Sequence, residues 1–277
     1  MMITHPIIFI VVILLLGVII NEYIRNGTII HGLGFLGAIY ISVFVVDYLC
    51  MSHSFDYQVF IIKKPVKKEL IIISICTILG LIFLCVRYIF NWNGIGAILK
   101  LSVLPLMLFV FPIVLSLVYL FIFKYPLKNL GINLNYWYLP ILINIVFGLI
   151  TLIFAPEKSH WHLLVSGTVG NLFSWLFTGL IGAALSEEFT RMLFQTRIKS
   201  LSNNMAIGWI SAAFIWALLH FPVFSQEHVE KGWRAVIMAT LNLIPLGLLW
   251  GYITYRTKSI IPSVVIHGLN LWGLQNF

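Results

Sequence analysis

"ALSEEFTRML", residues 184–193, sets two glutamates side by side and an arginine three positions later inside an apolar segment. The chain around it is 61% hydrophobic and only 9% charged over 277 residues, with a mean hydropathy of +1.02. Soluble domains are about half apolar, so this composition belongs to a membrane protein. In that setting the three charges are costly. An ionisable side chain at the centre of a bilayer costs about 2.5–3.5 kcal/mol on insertion scales, and it persists where it faces the bundle interior and has a partner.

Working outward, hydropathy marks about nine apolar stretches. They lie near residues 6–22, 31–51, 70–90, 101–123, 137–155, 163–195, 206–221, 233–254 and 259–276. The expected fold is all-α, a polytopic transmembrane helical bundle of about eight to nine spans. The sixth stretch is too long for one straight span and reads as a short interfacial piece followed by the helix that holds the glutamates. The longest polar interval, "SHSFDYQVFIIKKPVKKE" at 52–69, leaves no room for a separate soluble domain. The first span lacks a preceding basic residue and a following small-residue cleavage site, which reads as a retained span rather than a removed signal peptide. Cys50, Cys76 and Cys85 form no CxxC pair, against a disulfide scaffold or a thiolate zinc site.

The net charge of +8 has a membrane explanation. Lys63, Lys64, Lys67, Lys68, Lys124, Lys128, Arg197, Lys199, Arg256 and Lys258 fall in the links after spans two, four, six and eight. Fewer cations, Arg25, Arg87, Lys100, Lys158, Lys231 and Arg234, fall in the others. The bias favours a cytoplasmic N-terminus. Because these charges flank hydrophobic spans, they do not read as a nucleic-acid surface.

The polar residues inside the C-terminal spans are Glu187, Glu188, Arg191, His220, Asn242, His267 and Asn270. Asp47 lies near the end of span two and can reach the interface. Successive helical residues are about 100° apart, so Arg191 projects between the two carboxylates and can pair with Glu187 at i+4 or Glu188 at i+3. One arginine cannot neutralise both. The link "SLSNN", 200–204, is the natural turn after this helix. Glu187 and His220 both lie roughly 22–27 Å from it along their helices, and His267 and Asn270 lie roughly 15–20 Å beyond the turn near Thr257. Carboxylates, imidazoles and an amide at related depths suit hydrolysis. A carboxylate or histidine can deprotonate water, and a second histidine and an amide can donate to a developing oxyanion. The same residues are also a possible zinc set, although the helical HExxH signature is missing. Ser186 adjoins the glutamates without a local base motif.

"SEEFTR", "WALLH" and "LLWGYITYRTKSIIPSVVIHGLN" resemble the three signatures of the CAAX protease and bacteriocin-processing family, also called the Abi family, which includes the CAAX prenyl endopeptidases. Its patterns are EExxxR, FxxxH and a late HxxxN. Here Glu187, Glu188 and Arg191 stand for the first, Trp216 and His220 for the second, with Trp replacing Phe, and His267 and Asn270 for the third. The resemblance covers roughly residues 165–277. It implies a catalytic transmembrane core over 161–277, preceded by N-terminal transmembrane helices over 1–160 to which it assigns no role.

The resemblance further implies an intramembrane glutamic endopeptidase. Glu187 and His220 would activate water, His267 and Asn270 would form the oxyanion site, and Glu188 and Arg191 would support them. The implied cofactor is none, with zinc possible but not favoured, since a neutral amide such as Asn270 is a poor zinc ligand. The implied partners are a peptide or protein substrate and the lipid bilayer of the cell membrane, which the chain crosses several times; the sequence sets no oligomeric state. Two spacings depart from the family. Only two residues separate the glutamate pair from Arg191, so alignment on the arginine would put Ser186 at the first glutamate; anchoring on the glutamates keeps both carboxylates near His220. Asn270 follows His267 by three residues rather than four, and both spacings share a helix face. Two rival readings use the same residues: a catalytically weak member that binds a partner in the membrane, and a proton-coupled transporter with buried Glu and His as relay.

Overall fold

A computed structural model describes residues 6–50, 60–89, 114–155, 177–224 and 228–270. All regular structure among these residues is helical. The α-helices are α1 (Pro6–Arg25), α2 (Ile29–Leu49), α3 (Val66–Ile89), α4 (Leu139–Phe154), α5 (Ser186–Ser202), α6 (Met205–Leu218), α7 (Phe221–Phe224), α8 (His228–Thr257) and α9 (Ile261–Asn270). A π-helical stretch, Phe177–Leu185, runs directly into α5, and a second one spans Val118–Ile122. Parts of the expected fourth, sixth and ninth spans lie outside the described residues. Among the described residues, Ile29–Leu49 and Gly232–Thr257 are long and apolar enough to cross a membrane, and α4 and α6 are shorter apolar helices.

The outer surface fits a lipid environment. Leu14 is 63% exposed, Phe44 68% and Ile153 71%, on three different helices. Soluble monomers rarely expose apolar surface on this scale, and in a bilayer it faces acyl chains.

Local chemistry sets the helix ends. Asn203 follows α5 with φ 50°, the left-handed position that asparagine tolerates after a helix. Asn204 then caps α6, its side-chain oxygen accepting from the Ala206 and Ile207 amides at 2.9 and 3.2 Å. These two residues make "SLSNN" a tight turn and lay α5 antiparallel along α6. At the other end of α8, Gly232 has φ 76° and breaks the helical path before Trp233.

Two apolar cores flank α5. One joins Leu15 and Ile19 of α1, Phe35 and Val46 of α2 and Phe147 of α4 to Trp216, Trp250, Ile253 and Ile266. The other joins Ile73 of α3 and Tyr119, Tyr125 and Leu130 to Phe189, Met192, Leu193 and Phe194 of α5. The most polar of the long helices is therefore kept from lipid by protein on both sides, and Arg191 through Arg197 are all buried.

Arg197 and Arg256, counted above among loop cations, are helical and buried. Arg197 lies in α5 and its Nε donates to Glu69 Oε2 of α3 at 2.8 Å, with both side chains fully buried. Tyr119 donates to the same carboxylate at 2.9 Å, and Tyr125 donates to its other oxygen. Burial and the bond to Glu69 push the Tyr125 phenol up, so it remains a donor. Arg256, near the end of α8, pairs with Asp47 at 2.9 Å and donates to the Asp47 and Cys50 carbonyls at the end of α2. A cation suits that position, because the last carbonyls of a helix lack intrahelical partners. Tyr252 donates to Asp47 as well. A charge count along the sequence cannot separate such clamps from solvated lysines.

The links at this end also tie together. Ile260 N–H donates to Gly131 O at 2.9 Å, Ser259 Oγ to Asn133 O at 2.6 Å and Lys63 Nζ to Lys124 O at 3.3 Å. Lys63, Lys64, Lys67, Lys68, Lys124 and Lys128 stay exposed around them.

Arg197→Ala would leave Glu69 buried without its cation. Removing one partner of a buried pair costs about 3–5 kcal/mol, so the variant should melt well below the wild type in detergent. Arg197→Ala with wild-type melting would show that the two tyrosines hold Glu69 without the arginine.

Candidate active site

The α5 helix begins at the site. Glu187 and Glu188 stand in its first turn. Here the preceding π-helical stretch continues the backbone, so the pair sits inside the bundle instead of at a solvated end. The roughly 100° between neighbours gives the two carboxylates different surroundings. Ser186 turns back on its own backbone, Oγ donating to Ala183 O at 2.9 Å.

Glu187 meets three side chains through one oxygen. Its Oε2 accepts from the Trp216 indole Nε1 at 2.6 Å and lies 3.4 Å from His220 Nε2 and 3.6 Å from His267 Nε2. Glu187 and His220 keep 25% and 23% of their side-chain surface exposed, whereas Glu188 has none and His267 2%. Glu187 and His220 thus border an opening, and the other two stand behind them.

The hydrogen bonds fix which ring nitrogens carry protons. His220 follows the last turn of α6, and its Nδ1 lies 3.0 Å from Trp216 O. A carbonyl only accepts, so Nδ1 is the donor, and it satisfies one of the carbonyls a helix end leaves open. His220 Nε2 is then directed at Glu187. His267 Nδ1 lies 3.2 Å from Glu188 Oε1, and its ring stacks on Trp250 at 4.0 Å and 17°. The stack and the carboxylate together set the ring plane so that Nε2 points at Glu187. Asn270 is the last residue of α9, and its side chain lies outside the described residues.

Glu188 anchors a network across three helices. Among the described ion pairs, Arg191 takes Glu188, in a two-pronged contact, and not Glu187. The arginine also donates to Gln195 Oε1 at 2.9 Å and Thr254 Oγ1 at 3.3 Å. Gln195 donates to Gly251 O at 2.9 Å, and Thr254 shares a hydrogen bond with Ser263 of α9, which donates to Trp250 O. Two glycines one turn apart on α8 make room for this. A Cβ on Gly251 would stand 2.6 Å from Arg191 Nη1, and a Cβ on Gly247 2.9 Å from Trp216 Cε3.

Sequence reasoning grouped Glu187, Glu188, Arg191, His220 and His267, and the structure brings these five together around two carboxylates. Asn242, also singled out in the sequence, makes no hydrogen bond to these five side chains among the described residues. Trp216, Gln195, Thr254, Ser263 and Gly251 belong to it and were not named as its donors or spacers. Gln195 had a signal in its four-residue offset from Arg191, on one face of the helix; the others come from α6, α8 and α9 and had none. Among the described residues, no group of three or more His, Cys, Asp or Glu side chains is arranged to hold a metal ion.

One carboxylate and two imidazoles thus meet inside an apolar helical bundle, with Glu187 and His220 at its exposed edge and His267 behind them. Residues 168–272 match the family model described as "Type II CAAX prenyl endopeptidase Rce1-like". The match covers less than half of the chain and supports the CAAX protease family for its C-terminal part, a family of integral membrane proteins. No curated protein and no solved structure matches the chain.

Gly251→Ala should press a methyl group onto the guanidinium that holds Glu188. Overpacking of this kind costs about 1–3 kcal/mol, so the variant should lose thermal stability. If it melts as the wild type does, Arg191 has another buried position available.

Proposed function

We propose that the chain is an intramembrane glutamic endopeptidase of the CAAX type, a multi-pass protein of the cell membrane that cleaves a peptide bond in a membrane-associated peptide or protein. The observation that carries this reading is the contact of Glu187 Oε2 with His220 Nε2 at 3.4 Å and His267 Nε2 at 3.6 Å, at the edge of an otherwise buried site. Residues 161–277 hold the machinery, and the helices of residues 1–160 brace it through the shared apolar core.

In this mechanism water sits between Glu187 and His220. Glu187 takes one proton as the water oxygen forms its bond to the scissile carbonyl carbon. The carbonyl electrons move onto oxygen, where His267 and Asn270 donate to the oxyanion. Because His267 Nδ1–H is committed to Glu188, donation from Nε2 requires the doubly protonated ring. Glu188 is the neighbouring charge that accommodates that form, and Arg191 balances Glu188 in turn. When the intermediate collapses, the C–N bond breaks and the proton held by Glu187 passes to the leaving amine. No step uses a metal.

The test is cleavage of a quenched-fluorescence peptide ending in a prenylated CAAX sequence, with purified protein in proteoliposomes. Glu187→Gln and His220→Gln should each lower turnover at least a thousandfold, as losing a member of an interdependent catalytic set does, while both variants still melt cooperatively. Full turnover in either would refute the mechanism. Wild-type protein that binds such peptides but never cleaves them would favour a partner-binding role.

A second measurement addresses metal. Activity should survive chelation by 1,10-phenanthroline, and purified protein should contain no stoichiometric zinc. Loss of activity on chelation, with recovery on adding zinc, would make Glu187, His220 and His267 metal ligands instead.

A further inference from the structure

Trp216 stands one helical turn before His220 on α6, where the family pattern has phenylalanine. The two rings fill similar space, but only the indole has a donor. Its Nε1–H reaches Glu187 Oε2 at 2.6 Å, the shortest of the contacts this carboxylate makes with Trp216, His220 and His267.

The indole is fixed on every side described. It is 3% exposed. Its ring packs edge-on against Trp250 at 5.0 Å, His220 at 4.7 Å and His267 at 5.5 Å. Gly247 of α8 leaves the notch into which its six-membered ring fits. A ring so enclosed cannot swing its N–H elsewhere without displacing both histidines. Trp216 also touches His220 through its own carbonyl, so one residue meets both groups assigned to water activation.

Among the described residues, the contacts of Glu187 with Trp216, His220 and His267 all fall on Oε2, while the side chain keeps a quarter of its surface open. A carboxylate held by one oxygen exchanges its two oxygens about its last torsion only by breaking that bond, so the hold favours one oxygen facing the opening. We propose that Trp216 is a positioning residue. It holds Glu187 by Oε2 and leaves Oε1 as the oxygen that takes the proton from the attacking water. The water O–H bond breaks, the proton goes to Oε1 and the water oxygen bonds to the carbonyl carbon. The assignment of Oε1 rests on Glu187 being the base; the hold on Oε2 does not.

Trp216→Phe tests the inference by keeping the ring and deleting the donor. With the same CAAX peptide, kcat should fall about ten- to a hundredfold, the loss expected when a reacting group is displaced by about 1 Å. KM should stay within about twofold of the wild-type value, because the phenylalanine ring still walls the site. A purely structural tryptophan would instead lower the melting temperature and leave the kcat of the folded fraction intact, and that result would overturn the inference.

An arm independent of catalysis uses protein labelled with 15N-tryptophan in detergent micelles. The indole cross-peak missing from Trp216→Phe identifies Trp216, and this peak should move upfield in proton in Glu187→Gln, where a neutral amide replaces the charged acceptor. A peak unmoved by Glu187→Gln would overturn the hold whatever the kinetics. Glu187→Gln that still cleaves, with the peak moved, would keep the hold and overturn both the Oε1 assignment and the role of Glu187 as base.

Discussion

Glu188 has no exposed surface, and the helix that carries it is enclosed by apolar cores on both flanks. A carboxylate in such a place is tolerated only when a cation and further donors reach it. Arg191 supplies the charge from the same helix, and His267 supplies a second donor from α9. The arginine must then be satisfied in turn, which brings in Gln195 and Thr254, and through Thr254 the hydroxyl of Ser263. Gly251 is the backbone consequence, since any side chain there would occupy the guanidinium's space. One buried charge thus dictates residues on α5, α8 and α9.

A second fully buried ion pair, Glu69 with Arg197, fastens the far part of α5 to α3. Arg191 and Arg197 hold the helix in two places along its length, and the apolar residues between them, Met192 to Phe194, fill the core against α3. The two clamps differ in what they leave free. Tyr119, Tyr125 and Arg197 converge on Glu69 and shut it in. Glu188 absorbs the arginine at its own end, so Glu187 next to it is left to meet aromatic and imidazole groups and keeps an open edge. Two neighbouring carboxylates thereby acquire separate surroundings, one closed by its arginine and one with an exposed edge.

Much of the candidate site was legible because ionisable residues are conspicuous in an apolar chain. The pair Glu187 and Glu188, Arg191, His220 and His267 stand out by cost alone, and the helical rise places them at comparable depth. The pairing of Arg191 was not legible, because offsets of three and four residues are equally reachable on a helix. Arg197 and Arg256 read as loop cations, since a sequence window does not reveal that Glu69 and Asp47 come to meet them from other helices. Trp216 read only as the aromatic that replaces Phe in the second signature, because the partner of its N–H lies 29 positions away.

By itself, then, the sequence determined the class of environment, the helical architecture and the residues that carry charge or imidazole within it. These follow from composition and the fixed geometry of a helix, both local properties. Tertiary structure decided which carboxylate the arginine takes, which ring nitrogens face Glu187 and where glycine must stand. Those outcomes depend on how α5, α6, α8 and α9 are rotated and spaced against one another, and a shift of an ångström or two in that packing exceeds the tolerance of a hydrogen bond.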